Sequence, residues 1–339
     1  MTARRHFADT FSLNQLAVVD PDADHALWGR RLAASGPMRL EAGKGSAYSV
    51  PTFNAADATT TVRVFQRRPY RGQNLLDGGK GYGATIPWNP AWLRQLPTGN
   101  DATVVIVDEK SGDVIELWIA GKDTWDNAFV FENLTAGWGT LPASRKLAVA
   151  DMRRWSSIWT RTDDPGHVGI RGCGLDKPAC IVRLEELEAG RIDHAINMTI
   201  SNTGPGFRAP ATRSEWAVGK AAGLDIGNGT PSPTSMLLPS GTRFVLDWDA
   251  FFANSAIPMP LDGSIDWTLM RTFRNYGIVA TETGGYGTGI ETDYRPDQAA
   301  RWAALGITSA DATQPHQRFL AALSQAPVWK LAKPSGGVV

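Results

Sequence analysis

The segment Leu184–Ile200, LEELEAGRIDHAINMTI, decides how this chain is read. Leu184 and Leu187 stand three apart with Glu185, Glu186 and Glu188 outside them, the pattern of a short helix. Gly190 suits the left-handed residue that ends a helix. Beyond it the hydrophobic period changes from helical to alternating, which predicts a half-buried strand over Arg191–Ile200. Ile192, His194, Ile196, Met198 and Ile200 share one face. Arg191, Asp193, Ala195, Asn197 and Thr199 share the other. Neighbouring strand residues point to opposite faces, so the Asp193-His194 pair is split across the sheet.

Outward from this segment the chain reads as many short strands joined by Gly, Pro and Asn turns. Thr61–Gln66 alternates, with Val62 and Val64 on one face. Thr103–Asp108 leads through the polar connection Glu109–Asp113 into Val114–Ala120, a hairpin. Phe129–Glu132, Arg243–Asp247 and Tyr276–Thr281 are further strands, and Thr288–Thr292 is expected to pair back on the last across Gly284-Gly285. Helices are expected at His25–Ala34, at Ile265–Asn275 with Ser264 as cap and Gly277 past the end, at Pro296–Leu305 and at Pro315–Leu323. The expected fold class is mostly β: a jelly-roll-like β-sandwich with a few short helices at the N- and C-terminal ends. Residues 1–45 form an N-terminal arm, 46–295 the sandwich, and 296–339 a helical segment and tail. Trp329 and Leu331 in that tail are expected to dock on the chain's own body or on a neighbour.

Composition narrows the function. Lys plus Arg and Asp plus Glu number 34 each, and the arginine pairs are isolated, so nucleic-acid binding has little electrostatic support. No apolar run approaches the roughly 18 residues of a spanning helix, so membrane insertion is not expected. Thirteen Trp among 35 Gly suit a glycan-facing extracellular β protein. Yet no apolar segment follows Ala3-Arg4-Arg5 as a secretory leader would require. Either a leader has been removed or the protein leaves the cell in a phage particle; the start Met-Thr-Ala-Arg-Arg favours the second. Cys173 and Cys180 are spaced to close a small disulfide loop worth about 2–3 kcal/mol, with two free thiols as the alternative.

Several segments together resemble one family. They begin with Tyr48-Ser49-Val50-Pro51 before an alternating strand, Ile86-Pro87, Asn100-Asp101, Glu116-Leu117-Trp118 and Trp138-Gly139. They continue with Leu184–Leu187, Gly190–Ala195 (GRIDHA), Pro210–Arg213, Gly241–Phe244 and Tyr276–Val279. This order is similar to secreted actinobacterial proteins and to minor tail proteins of phages that infect those hosts. The resemblance spans roughly residues 45–295 and is most specific at GRIDHA. It implies a jelly-roll-like sandwich working outside a bacterial cell, and implies no settled activity. The chain departs from the pattern in lacking a leader and in placing Cys173 and Cys180 in an otherwise apolar stretch.

The candidate chemistry lies on the polar strand faces. Asp193, Glu116 and His194 are the catalytic candidates. Glu116 shares a strand face with Trp118, and a carboxylate beside an indole suits sugar recognition. If sheet order brings Glu116 and Asp193 to one cleft, the pair would flank a glycosidic bond. His194, among isoleucines and Met198, also reads as a core residue, and Asp193 as the ion-pair partner of Arg191. Trp118, Arg191, Asn197, Trp88 and Trp92 are the glycan-binding candidates, although Trp also caps sandwich cores. Asp163-Asp164 with His167, and Asp247 with Asp249, read better as solvated turns than as metal sites. No metalloprotease, phosphate-loop, dinucleotide or nucleophile-elbow motif is present, and neither cofactor nor metal is expected. The expected function is a minor or peripheral tail protein of an actinobacterial phage. It would meet host cell-wall glycan and other tail proteins as part of a homo-oligomeric assembly in the virion. The alternative is a secreted or tail-borne glycoside hydrolase or polysaccharide lyase.

Overall fold

The run Val104-Val105-Ile106-Val107 has no polar side to turn to solvent, and in the computed structural model it lies in a sheet buried on both faces. The structure describes residues 6–66, 84–97, 99, 101–120, 146–164, 167–201, 203–216, 237–254, 256–284 and 288–334. Fifteen strands in four sheets and a few short helices make up these residues. The buried sheet has the order β2 (Thr52–Asn54), β5 (Val104–Val107), β6 (Val114–Trp118), β8 (Asp151–Trp155). β5 and β6 form the expected hairpin, with Val107 opposite Val114.

Alternation then sorts side chains between two cores. Val104, Ile106, Ile115 and Leu117 pack with Val62, Ile86 and Leu147 of a three-stranded sheet, β4 (Thr85–Trp88), β3 (Thr60–Gln66), β7 (Lys146–Val149). Val105, Val107 and Val114 face the other way, into a core they share with Phe7, Phe11, Leu13, Ala195 and Val279. Ala195 and Val279 belong to the side of the largest sheet, β1 (Met38–Glu41), β14 (Thr288–Glu291), β9 (Ile196–Ile200), β13 (Ile278–Thr283), β12 (Arg243–Leu246), β15 (Trp329–Leu331). Its opposite face carries Ile196, Met198, Ile200, Ile278, Ala280 and Ile290. These meet Leu32 of α1 (His25–Ala34), Leu269, Met270 and Phe273 of a helix at Ile265–Asn275, and Phe319, Leu320 and Leu323 of another at Pro315–Gln325. A small sheet of β10 (Thr203–Phe207) and β11 (Leu238–Ser240) completes the described strands.

Pairing is mixed: five of the eleven described strand pairs are parallel. The expected pairing of Tyr276–Thr281 with Thr288–Thr292 does not form, because β9 lies between β13 and β14. The strand expected over Arg191–Ile200 begins only at Ile196. Ala195 gives its N–H to Leu13 O (2.7 Å), so the N-terminal segment claims this stretch of backbone before the sheet does. Arm and tail are likewise built into the largest sheet, as its two edge strands β1 and β15. Trp329 is buried there and donates to Leu323 O (2.9 Å), so it docks on the chain's own body. The expected strand Phe129–Glu132 and the Trp138-Gly139 element of the resemblance lie outside the described residues.

The helix at Ile265–Asn275 starts as expected, with Ser264 Oγ accepting from Trp267 N (3.2 Å). It stops because Gly277 takes φ +78° just beyond it. A Cβ at Gly277 would also lie 2.4 Å from Phe244 O on β12. Gly277→Ala is therefore expected to lower unfolding stability by about 1–3 kcal/mol, read from denaturant titration. An unchanged midpoint would show that helix and strand can separate without cost.

Candidate functional site

Alternation in VIELW puts Glu116 opposite Ile115 and Leu117, as expected, but the face it occupies is covered. The segment Ile170–Lys177 lies on it, and Glu116 is 0% exposed. One carboxyl oxygen accepts from Lys177 N (2.5 Å), the other from Ile170 N (3.3 Å) and Trp155 Nε1 (3.4 Å). Burial, reinforced by the neighbouring Asp176 charge, pushes this carboxyl up to about 8. Glu116 thus fastens a loop to the four-stranded sheet and is closed off from ligand.

The same loop reaches the largest sheet with its side chains. Arg171 Nη1 binds Glu282 (2.7 Å) and Glu291 (2.5 Å), and Lys177 Nζ binds the same two carboxylates (2.5 and 2.8 Å). The Arg171 side chain is 0% exposed. Asn197 Nδ2 donates to Glu291 (3.0 Å) from β9, between the two strands that carry the carboxylates. Burial works to raise Glu282, but the Lys177 and Arg171 charges outweigh it and hold its carboxyl well below the usual range.

In front of this cluster opens a small cleft, lined by Glu41, Asp101, Thr199, Glu282, Gly289 and Glu291 together with Arg39 and Tyr48. Glu41 pairs with Arg39 Nε (2.6 Å) and accepts from the backbone N–H groups of Ala47 and Tyr48 (3.3 Å each). Asp101 keeps solvent contact and accepts from Trp118 Nε1 (3.1 Å). The protein packed around Asp101 raises its carboxyl; the Lys177 charge opposes that rise, and the Glu282 and Glu291 charges add to it. Glu215 joins from beside Gly172, where a Cβ would lie 2.5 Å from its side chain. It accepts from Thr283 N (2.6 Å), next to Glu282, and burial together with the Glu282 charge pushes it up to about 7. Carboxyls whose proton affinities are moved in opposite directions thus stand near one another, Asp101 and Glu282 on the cleft and Glu215 beside Glu282.

Of the candidates read from sequence, Trp118 donates to Asp101 and Asn197 to Glu291, but neither lines the cleft itself, and Asn197 is fully buried rather than open to a glycan. The others are elsewhere. Asp193 pairs with Arg191 (2.7 Å), whose side chain is 72% exposed, in the irregular stretch before β9. Asp193 and Glu116 share no cleft, since Glu116 is enclosed and neither lines the opening. His194 is buried with both ring nitrogens engaged, by Ala195 O (2.9 Å) and Glu186 (3.1 Å). Trp88 and Trp92 are core residues rather than a sugar platform: Trp92 stacks on Phe53 at 4.5 Å and meets Trp88 edge-on at 5.4 Å. Cys173 and Cys180 are free, buried thiols in place of the expected disulfide, both raised by burial. Asp163 accepts from Ser12, and Asp247 caps the helix at Trp248–Ala253 and pairs with Lys330. Among the described residues no group of His, Cys, Asp or Glu is arranged to hold a metal ion. None of their helices is long and apolar enough to cross a membrane.

Sequence reasoning passed over Glu41, Asp101, Arg171, Lys177, Glu215, Glu282 and Glu291 as chemistry. The available signal was a carboxylate inside each of two otherwise apolar or hydroxyl-bearing strands, IVATET and TGIE. Comparisons with protein families, with curated proteins and with solved structures find no match for this chain.

Glu116→Gln keeps a carbonyl acceptor for the loop and removes the titration. The wild-type carboxyl holds its proton from the ordinary 4.5 up to about 8 in the folded state. The folded state therefore binds more protons than the unfolded one across that window, and stability falls as pH rises through it. Denaturant titrations between pH 5 and pH 8 should show the variant losing less, by up to about 1.4 kcal/mol per pH unit. Parallel slopes would mean that Glu116 does not titrate there.

Proposed function

We propose that this protein engages glycan at an actinobacterial cell surface as a component of a phage tail, and that its cleft breaks a glycosidic bond. The observation that carries the second part is the pairing of Asp101 with Glu282 on one cleft, the first raised and the second lowered in proton affinity. A carboxyl that keeps its proton can deliver it to the departing sugar oxygen. A carboxylate held ionised by two cations can act on the sugar from within the same space. Trp118, half-buried and fixed to Asp101 through its indole N–H, would add a ring for sugar C–H faces beside that residue.

The setting rests on the likeness of the GRIDHA-centred segments to minor tail proteins and secreted actinobacterial proteins. Repeated copies in a tail would turn weak single contacts into avid attachment. The architecture that belongs with this reading is a jelly-roll-like sandwich. Its support is the apolar core shared by the four- and six-stranded sheets; the parallel strand pairs are a departure from it. A second reading, attachment without cleavage, is favoured by one observation: Glu282 and Glu291 are both engaged by Arg171 and Lys177 and would serve as fixed acceptors for sugar hydroxyls.

Incubation with purified host cell-wall glycan should release reducing ends. Asp101→Asn should slow release by about 10²–10⁴-fold, while Asp193→Asn leaves it unchanged. With Asp101 as proton donor the rate should fall as that proton is lost, at a pH above the ordinary aspartate range. Release by Asp101→Asn at the wild-type rate would dismiss Asp101 as proton donor. Binding without any release would leave the attachment reading.

A further inference from the structure

We infer that residues 6–14 form an acid-released strap, which closes the apolar space between the four- and six-stranded sheets and is freed when His6 takes a proton. The inference is independent of the glycan reading. Phe7, Phe11 and Leu13 of this segment are buried in that space with Val105, Val107, Val114, Ala195 and Val279. Main-chain bonds tie the segment to its surroundings: Phe7 N to Ile158 O (2.5 Å), Ala8 N to Arg161 O (2.9 Å) and Ala195 N to Leu13 O (2.7 Å). Arg243 donates to Ser12 O (3.2 Å) and Gln15 O (2.7 Å). Asn14 Nδ2 turns back on the segment and donates to the carbonyls of His6, Phe7 and Ala8 (2.9, 3.2 and 3.0 Å). The strap is therefore bonded within itself and can leave as one piece.

His6 is the weak point of this attachment. Its ring meets the Trp159 indole edge-on at 5.3 Å. Its Nδ1 has no solvent contact and no hydrogen-bond partner among the described residues. The charged groups that act on it are Arg183, Glu186 and His194, and of its neighbours only Glu186 and the Pro178 carbonyl favour a charged ring. Glu186 is already taken, by the Arg183 guanidinium and by His194 Nε2 (3.1 Å). An imidazolium at this place would give up its water, face a guanidinium and gain no free carboxylate. Burial, with the Arg183 charge, accordingly holds the ring well below its ordinary range. The next residue is also strained. Phe7 takes φ +66°, a left-handed conformation that a bulky side chain keeps only while its neighbours enforce it.

On release the His6 ring regains its ordinary value of 6.5. The attached strap thus binds fewer protons than the released one from there down to the lowered value, and acid draws the equilibrium toward release. Each pH unit through that window multiplies the released population by up to about ten. The other charged groups that hold the strap do not produce this effect. Asp163 accepts from Ser12 N and Oγ (3.1 and 2.9 Å), and burial raises its carboxyl, so acid strengthens that contact. Arg243, lowered by burial to about 10, stays charged throughout. Asp9, the segment's own carboxylate, is exposed. Release would uncover the apolar side of Val105, Val107 and Val114 and free the Ala195 N–H from Leu13.

Amide hydrogen exchange of the full chain between about pH 7.5 and about pH 5 tests this, read as protection factors so that the intrinsic pH dependence of exchange drops out. The Ala8 and Ala195 amides, bonded across the strap's two sides, are expected to lose up to about tenfold in protection per pH unit below 6.5. The Asp247 amide, bonded to Val328 O (2.7 Å) away from the strap, should keep its protection. His6→Phe and His6→Gln, neither of which can take the charge, should hold Ala8 and Ala195 at constant protection over the same range. Constant protection in the unmodified chain overturns the inference, as does the same loss in either variant. A loss shared equally by Asp247 also overturns it, because the whole fold rather than the strap would then be opening.

Discussion

A guanidinium with no solvent contact holds the two halves of this protein in register. Arg171 is enclosed, and a buried cation persists only when anions and hydrogen bonds replace its water. Glu282 and Glu291 provide that replacement from β13 and β14, with Lys177 as a second bridge between them. The backbone of the same loop hands its N–H groups at Ile170 and Lys177 to Glu116 on β6. One short segment is thus bonded through its side chains to the six-stranded sheet and through its main chain to the four-stranded one. Apolar groups of equal volume would serve stability about as well as such a buried cluster. Its more specific consequence is electrostatic, because it presents two carboxylates at the cleft in a fixed place.

The alternation in the sequence identified which residues share a face, and it did so correctly along β6 and in the core of β9. Ile115 and Leu117 share one side with the three-stranded sheet behind them; Ile196, Met198 and Ile200 share another. What alternation does not carry is whether a polar face meets water or a further layer of protein. Glu116 was legible as opposite the core and illegible as covered, since the covering loop lies more than fifty residues away. Trp88 and Trp92 failed as glycan contacts for the same reason. A proline-punctuated segment reads as a surface loop, yet Phe53 and the three-stranded sheet fold both rings inside. Arg191–Ala195 has strand periodicity but lost its backbone partner to Leu13, a contact no local pattern encodes.

The cleft was illegible for a topological reason. Glu41, Asp101, Glu282 and Glu291 come from widely separated parts of the chain and meet only because β9 lies between β14 and β13, with β1 joining outside β14. A hairpin reading of β13 and β14 makes them direct neighbours and leaves no place for Asn197 between Glu282 and Glu291. Parallel pairing is the underlying difficulty. It requires long connections whose partners cannot be chosen from turn residues, whereas the β5–β6 hairpin could be. The two ends of the chain show this again, since an arm and a tail at opposite extremes of the sequence became the two edges of one sheet.

Glu116 and Glu282 are the same residue type held by one loop, and their proton affinities move in opposite directions. Burial raises both. The difference lies in what the loop sets beside each of them. Asp176 faces Glu116 and adds to the rise; the adjacent residue, Lys177, sends its ammonium to Glu282 and, with Arg171, overturns it. A step of one residue along the loop therefore separates a carboxyl suited to hold the layers together from one suited to meet a ligand. The Glu282 charge in turn adds to the rise that burial gives Glu215, whereas at Asp101 burial sets the rise and the Lys177 charge works against it. The chemistry at the surface is set by the same contact that joins the sheets, which is why the two cannot be altered independently.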